Sequence, residues 1–162
     1  MSGITGLAHT GVCVPDVEAA VAWWRDVVGL EVLSPPYLME GDAITQDMGE
    51  LVPAPVRLKA AILGFRADGD RVLELIEYPS APSEDGDPRG GLTDHGLSHI
   101  ALLCDDIAAT RADLEAKGVR FLVHGIADVA RVRTTWFTDP WGTVVILVEK
   151  SKKDRPYYAQ HG

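Results

Sequence analysis

"AHTGVCVPDVEAAVAWWRDVVGLEVL" (residues 8–33) and "SHIALLCDDIAATRADLEAKGVRFLV" (residues 98–123) are one pattern written twice. His9 aligns with His99 and Asp16 with Asp106. The second copy then drops one residue from its helical stretch, after which Gly29 aligns with Gly118. Each copy opens on an alternating strand and turns at its Asp, whose carboxylate can accept the backbone N–H groups of a first helical turn. Val17, Ala20, Val21, Trp24 and Val28 then form one apolar stripe at helical spacing. Ile107, Thr110, Leu114 and Lys117 follow the same spacing less strongly. Gly29 and Gly118 fit a C-terminal stop, where a left-handed residue costs glycine little.

The repeat continues to the end of each half. "RVLELIEY" (residues 71–78) aligns with "TVVILVEK" (residues 143–150), Leu73 on Val145, Leu75 on Leu147 and Glu77 on Glu149. One pair breaks the match: Glu74 stands against Ile146. Between these blocks, strands are expected over residues 30–33, 57–65, 119–123 and 131–138. "ADGD" (residues 67–70) and "DPWG" (residues 139–142) are turn signals. Two segments depart from the symmetry. Residues 35–55, opened by "SPP" and closed by "VPAP", read as an insertion with a short helix in "DAITQDMGEL". Residues 79–95, rich in Pro, Gly and Asp, read as a linker.

The chain has 162 residues and a formal net charge of −9. That balance argues against nucleic acid or an anionic membrane as partner, since both select basic surfaces. "KSKKDR" (residues 150–155) is the one basic cluster and reads as a solvated terminus. Cys13 and Cys104 lie in apolar strands, outside any Cys-x-x-Cys pair, and read as reduced, buried small side chains. No apolar run is long enough to span a bilayer, and a cytoplasmic location is expected.

Side chains two apart share a strand face. The helices need apolar surface to cover, which assigns them the Val and Leu faces of the first and fifth strands. His9 and His99 then face the other, concave side. Glu74 shares its face with Val72, Ile76 and Tyr78, whereas Glu77 and Glu149 fall on the opposite one. A carboxylate among apolar neighbours is costly to bury unless it is paired or holds a cation. Two histidines at equivalent repeat positions and one inward Glu are a plausible donor set for a divalent ion.

In this order, the two repeat openings, "VLELIEYP" and "TTWFTDPWGTVVILVE" resemble the vicinal oxygen chelate superfamily over about residues 6–149. That superfamily includes glyoxalase I, methylmalonyl-CoA epimerase, extradiol dioxygenases and the fosfomycin- and bleomycin-resistance proteins. The resemblance implies an α+β fold of two βαβββ modules, here residues 6–78 and 96–149, forming an open half-barrel around one cleft in a single domain. It implies metal ligands at His9, Glu74 and His99, which are expected to converge, with Ile146 where the family commonly writes a fourth, carboxylate ligand. His, His and one carboxylate still make a facial triad with open positions. Ile146, Trp136 and Met48 are then pocket residues, and the insertion a lid.

The implied function is a glyoxalase-like, metal-dependent lyase, isomerase or epimerase acting on a small oxygen-bearing substrate, with Zn, Ni, Co or Mn bound. The alternatives are a metal-free binding protein of the bleomycin-resistance type and an Fe(II) dioxygenase. Ile146 can act neither as ligand nor as base. Asp47, Glu50, Glu40 and His124 are unranked candidates for a general base, and the catalytic residue is left open. Arg57, Lys59, Arg131 and Arg133 lie on strands that reach toward the cleft. A homodimer is expected from the family and from the uncovered strand edges.

Overall fold

The computed structural model describes residues 3–81 and 91–160. The chain divides into two compact units, Met1–Gly86 and Asp87–Gly162. Each is a mixed sheet with helical cover, an α+β arrangement, and neither sheet closes into a barrel. Most of the expected linker lies outside the described residues.

In the first unit, strands β1 (Thr10–Cys13), β2 (Glu31–Glu40), β3 (Arg57–Gly64) and β4 (Leu73–Glu77) form a sheet in the order β1-β4-β3-β2. β1 runs parallel to β4, and the other pairs are antiparallel. Helix α1 (Val17–Trp23) starts where Asp16 Oδ1 accepts the Ala19 N–H at 2.9 Å. Of its expected stripe, Val17, Ala20, Val21 and Trp24 are buried, and Val28 is half-buried. They cover the sheet face that carries Leu73, Leu75, Ala61 and Leu63, all buried.

The residue that distinguishes the two copies becomes a π-helical turn, Trp24–Val28. Gly29 N–H donates to Trp24 O at 3.1 Å, five residues back. A single inserted residue is absorbed in this way without breaking a helix. The turn ends on Gly29, whose φ of 92° is left-handed.

The second unit holds β5 (Ile100–Cys104), β6 (Arg120–Phe121), β7 (Ala127–Val129), β8 (Val132–Thr138) and β9 (Val144–Lys150). Its order is β5-β9-β8-β6, with β7 also paired to β8. Helix α3 (Ile107–Ala116) is capped by Asp106, which accepts the Ala109 N–H at 3.0 Å. Gly118, with φ of 84°, follows it.

Glu77 and Glu149 lie on the helix-covered face, as the alternation predicts, and their repetition has a physical reason. Glu77 Oε2 accepts the Val17 N–H and Glu149 Oε2 the Ile107 N–H, each at 2.9 Å. Each therefore satisfies a first-turn donor that has no partner inside its helix. A cation sits beside each in sheet register, Lys59 on Glu77 and Arg133 on Glu149.

Four details depart from the sequence reading. "SPP" does not open a loop: β2 runs through it with two register irregularities. Proline is tolerated there because β2 is an edge strand. β7 was not expected, its three residues being too short to give a periodic signal. Cys13 is exposed rather than buried, because β1 is also an edge strand, while Cys104 is half-buried. The basic tail is folded back rather than simply solvated. Gln160 is fully buried, and its side-chain amide bonds the backbone of Lys152 in both directions.

Candidate metal centre

The open face of the first sheet follows from register. Gly11 pairs with Glu74 and Cys13 with Ile76 on β1 and β4. Across β4, Glu74 pairs with Ile62 and Ile76 with Ala60. Next on β2 come Tyr37 against Ala60 and Met39 against Leu58. His9, immediately before β1, continues the Gly11 and Cys13 face.

The structure brings His9 and Glu74 together. His9 Nε2 lies 3.1 Å from Glu74 Oε2, with side-chain exposures of 56% and 15%. Two donors at about 2.1 Å from one ion and at right angles to each other stand about 3 Å apart, so the pair fits the edge of a divalent coordination shell. The same separation serves as a charge-assisted hydrogen bond whenever His9 is protonated. Gly11 leaves room beside Ile76 on the same face. A Cβ there would come within 3.3 Å of Ile76 Cδ1.

His99 belongs to the second unit and precedes β5. Its Nδ1 lies 2.7 Å from Ser98 Oγ, which leaves Nε2 as the nitrogen open to a ligand. Its ring meets Trp136 edge-on, with centroids 4.9 Å apart. Ile146 pairs with Ala101 on one side and Trp136 on the other. Trp136 and Ile146 therefore form an apolar surface beside His99, in the register that Glu74 occupies beside His9.

Met48 lies at the end of helix α2 (Asp42–Met48), which forms where the sequence placed a short helix. Ile44, Val56 and Leu58 are buried together, with Met39, Met48, Ile76 and Tyr78 packed against them. Burial raises the Tyr78 phenol above its ordinary value, with smaller contributions from Cys13 and Glu74.

Of the candidate bases, Glu40 is engaged by Arg57 at 2.9 Å. Asp47 and Glu50 are exposed. His124 is also exposed, on a segment pinned by Arg111, which donates to Val123 O and Gly125 O. The strand cations are largely committed to carboxylates: Arg57 to Glu40, Lys59 to Glu18 at 2.5 Å and Arg133 to Glu149 at 3.2 Å. Arg131 is exposed, at a φ of 63°.

Sequence reasoning did not single out a second carboxylate group, Asp16, Glu18 and Glu77, whose oxygens lie within 4.8 Å of one another. These carboxylates are already occupied, Asp16 and Glu77 by α1 N–H groups and Glu18 by Lys59. They form a helix-capping cluster. The signal that could have found it is the recurrence of Asp16 and Glu77 as Asp106 and Glu149.

Residues 6–147 match the profile of the Glyoxalase/Bleomycin resistance protein/Dioxygenase superfamily, and the chain belongs to that superfamily. It is 30% identical over 151 residues to a 2-epi-5-epi-valiolone epimerase from an Actinomyces species, covering 90% of this chain and 80% of the relative. It is 27% identical to the mitochondrial methylmalonyl-CoA epimerase of Mus musculus, covering 88% and 70%. A glyoxalase family protein from Bacillus cereus shares the fold, with a TM-score of 0.78 at 14% identity over 93% of this chain and 97% of that one.

Proposed function

We propose that this chain is a metal-dependent epimerase or isomerase whose small substrate carries a proton on the carbon next to a carbonyl. The observation that carries the reading is the 3.1 Å approach of His9 Nε2 to Glu74 Oε2 on the open face of the first sheet. The epimerases among its relatives support the reaction class. His9 and Glu74 would hold a divalent ion such as Zn, Ni, Co or Mn. His99 is the proposed third ligand, by its repeat equivalence to His9 and its open Nε2.

A divalent ion supplies Lewis-acid polarisation of the substrate carbonyl. The rest falls to the chain. On its face the other strand carboxylate, Glu31, is engaged by Arg66 at 3.6 Å, whereas Glu74 meets His9 through Oε2, which leaves Oε1 for chemistry. We assign proton transfer to that oxygen: it takes the α-proton to leave a planar enolate carbon, and a solvent water donates a proton to the opposite face, which inverts the centre. Trp136 and Ile146 give His99 an apolar flank that limits water.

Dialysis against Zn or Mn, followed by metal analysis, tests the site. A stoichiometric ion is expected. Methylmalonyl-CoA and 2-epi-5-epi-valiolone, the compounds in the relatives' names, are the first probes for solvent deuterium exchange next to the carbonyl. Exchange is expected to vanish in Glu74→Ala. A protein that retains no ion, yet binds a ligand without exchange, would instead be a binding protein of the bleomycin-resistance type.

The chain is also proposed to act as a homodimer. β1 and β5 are edge strands of their sheets. Leu7 and Leu97, just before them, are 83% and 85% exposed, an apolar edge that pairing would cover.

A further inference from the structure

We infer that helix α2 is a specificity element: with Met39, Met48 and Tyr78 it forms an apolar wall that selects substrates with an uncharged hydrocarbon end. The inference rests on the proposed role of His9 and Glu74 in holding the substrate's oxygens. Its geometry begins on β4, where Glu74 and Ile76 share the open face and Tyr78 continues it beyond the strand. Ile76 and Tyr78 pack against the cluster that α2 makes with Val56 and Leu58. One end of the row is thus a carboxylate beside an imidazole, and the other is covered by α2.

Charge placement says what the wall accepts. Arg57 and Lys59 alternate with Leu58 and Ala60, so both cations fall on the helix-covered face, and both are paired there with carboxylates. Among the described strand residues of the open face, Glu74 and Glu31 carry a formal charge at neutral pH, and Glu31 stands in register with Gly64, at the end of β3 away from α2, where Arg66 engages it. A phosphate or carboxylate at the α2 end would be desolvated against Met39 and Met48 with no cation to meet it, which is costly. An alkyl group gains there, by up to about fourfold in affinity per methylene buried. Methionine suits such a wall because its unbranched thioether adapts to the shape it meets.

Methionine labelling reads this directly. The sequence has three methionines, Met1, Met39 and Met48, so protein carrying 13C-methyl methionine gives an assignable spectrum. The probes are pyruvate, 2-oxobutanoate, 2-oxopentanoate and 2-oxohexanoate, titrated into protein with and without Zn. The Met39 and Met48 resonances are expected to shift, with affinity rising about three- to fourfold per added methylene. Met48→Lys should flatten that dependence, and Met48→Leu should keep it, which separates loss of the wall from loss of the fold. Affinities independent of chain length, or Met39 and Met48 resonances that never move, overturn the wall even if Zn binds. Length-dependent shifts in a protein that retains no Zn overturn the metal reading and leave the wall standing.

Discussion

Glu74 and Ile146 occupy the same place in the two copies, yet their neighbourhoods differ. Glu74 meets His9 across a strand pair, while Ile146 lies between Ala101 and Trp136. Glu74→Ala removes the carboxylate that meets His9 on that face. It is expected to weaken Zn or Mn binding by more than the about 10–100-fold that follows loss of an outer-sphere partner. Ile146→Glu puts a carboxylate in the register beside His99 and is expected to tighten binding while slowing exchange, because fewer coordination positions stay open to substrate. Titration of the apo proteins, read by calorimetry, checks both variants. Unchanged Zn affinity in Glu74→Ala would remove Glu74 from the ligand set. The asymmetry between the copies was legible in the sequence as one unmatched pair. The contact to His9 was not, because it depends on how β1 sits against β4.

At the scale of the element, the two helices are held by carboxylates from distant strands. The Ile107 N–H holds the Glu149 carboxyl below the ordinary glutamate value of 4.5; partial desolvation opposes this, and Lys153 adds to it. A group whose value is depressed on folding stabilises the fold above its unfolded value, and that contribution is lost as pH falls through the lowered one. Stability from Glu149 is therefore full at neutral pH and declines below about 4.5. Glu149→Gln is expected to cost about 1 kcal/mol at pH 7, in the range for losing a helix cap. It should also flatten the acid limb of a melting-temperature profile, which differential scanning calorimetry across pH would record. In the first copy, Gly29 ends the π-helical turn at a φ of 92°. Gly29→Ala is expected to cost about 1 kcal/mol, since the added Cβ disfavours that conformation. Urea unfolding midpoints measure it, and an unchanged midpoint would mean the turn relaxes freely.

At the scale of the whole chain, each unit ends on an edge strand whose leading residues are apolar and exposed. Sedimentation velocity at micromolar concentration is expected to give twice the chain mass. Leu7→Lys together with Leu97→Lys should shift it toward the monomer, and a wild-type monomer at that concentration would defeat the proposal. Among the described residues, no helix is long and apolar enough to cross a membrane.

The sequence by itself determined the repeat, the Asp caps, the glycine stops, the helix stripes and the strand faces. All of these are local patterns with a period of two or near 3.6, set by backbone geometry that acts within a few residues. The faces of Glu74 and Glu77 followed from that alternation alone. Tertiary structure decided the rest, because it joins residues whose separation in the chain carries no periodic signal. It set Glu77 against the N-terminus of α1, 60 positions away, which explains a repeated glutamate that the strand pattern left unexplained. It extended β2 through two prolines, since only an edge strand can forgo their missing N–H groups. It also laid α2 over Ile76 and Tyr78, turning a segment that sequence could describe only as an insertion into a wall on the open face.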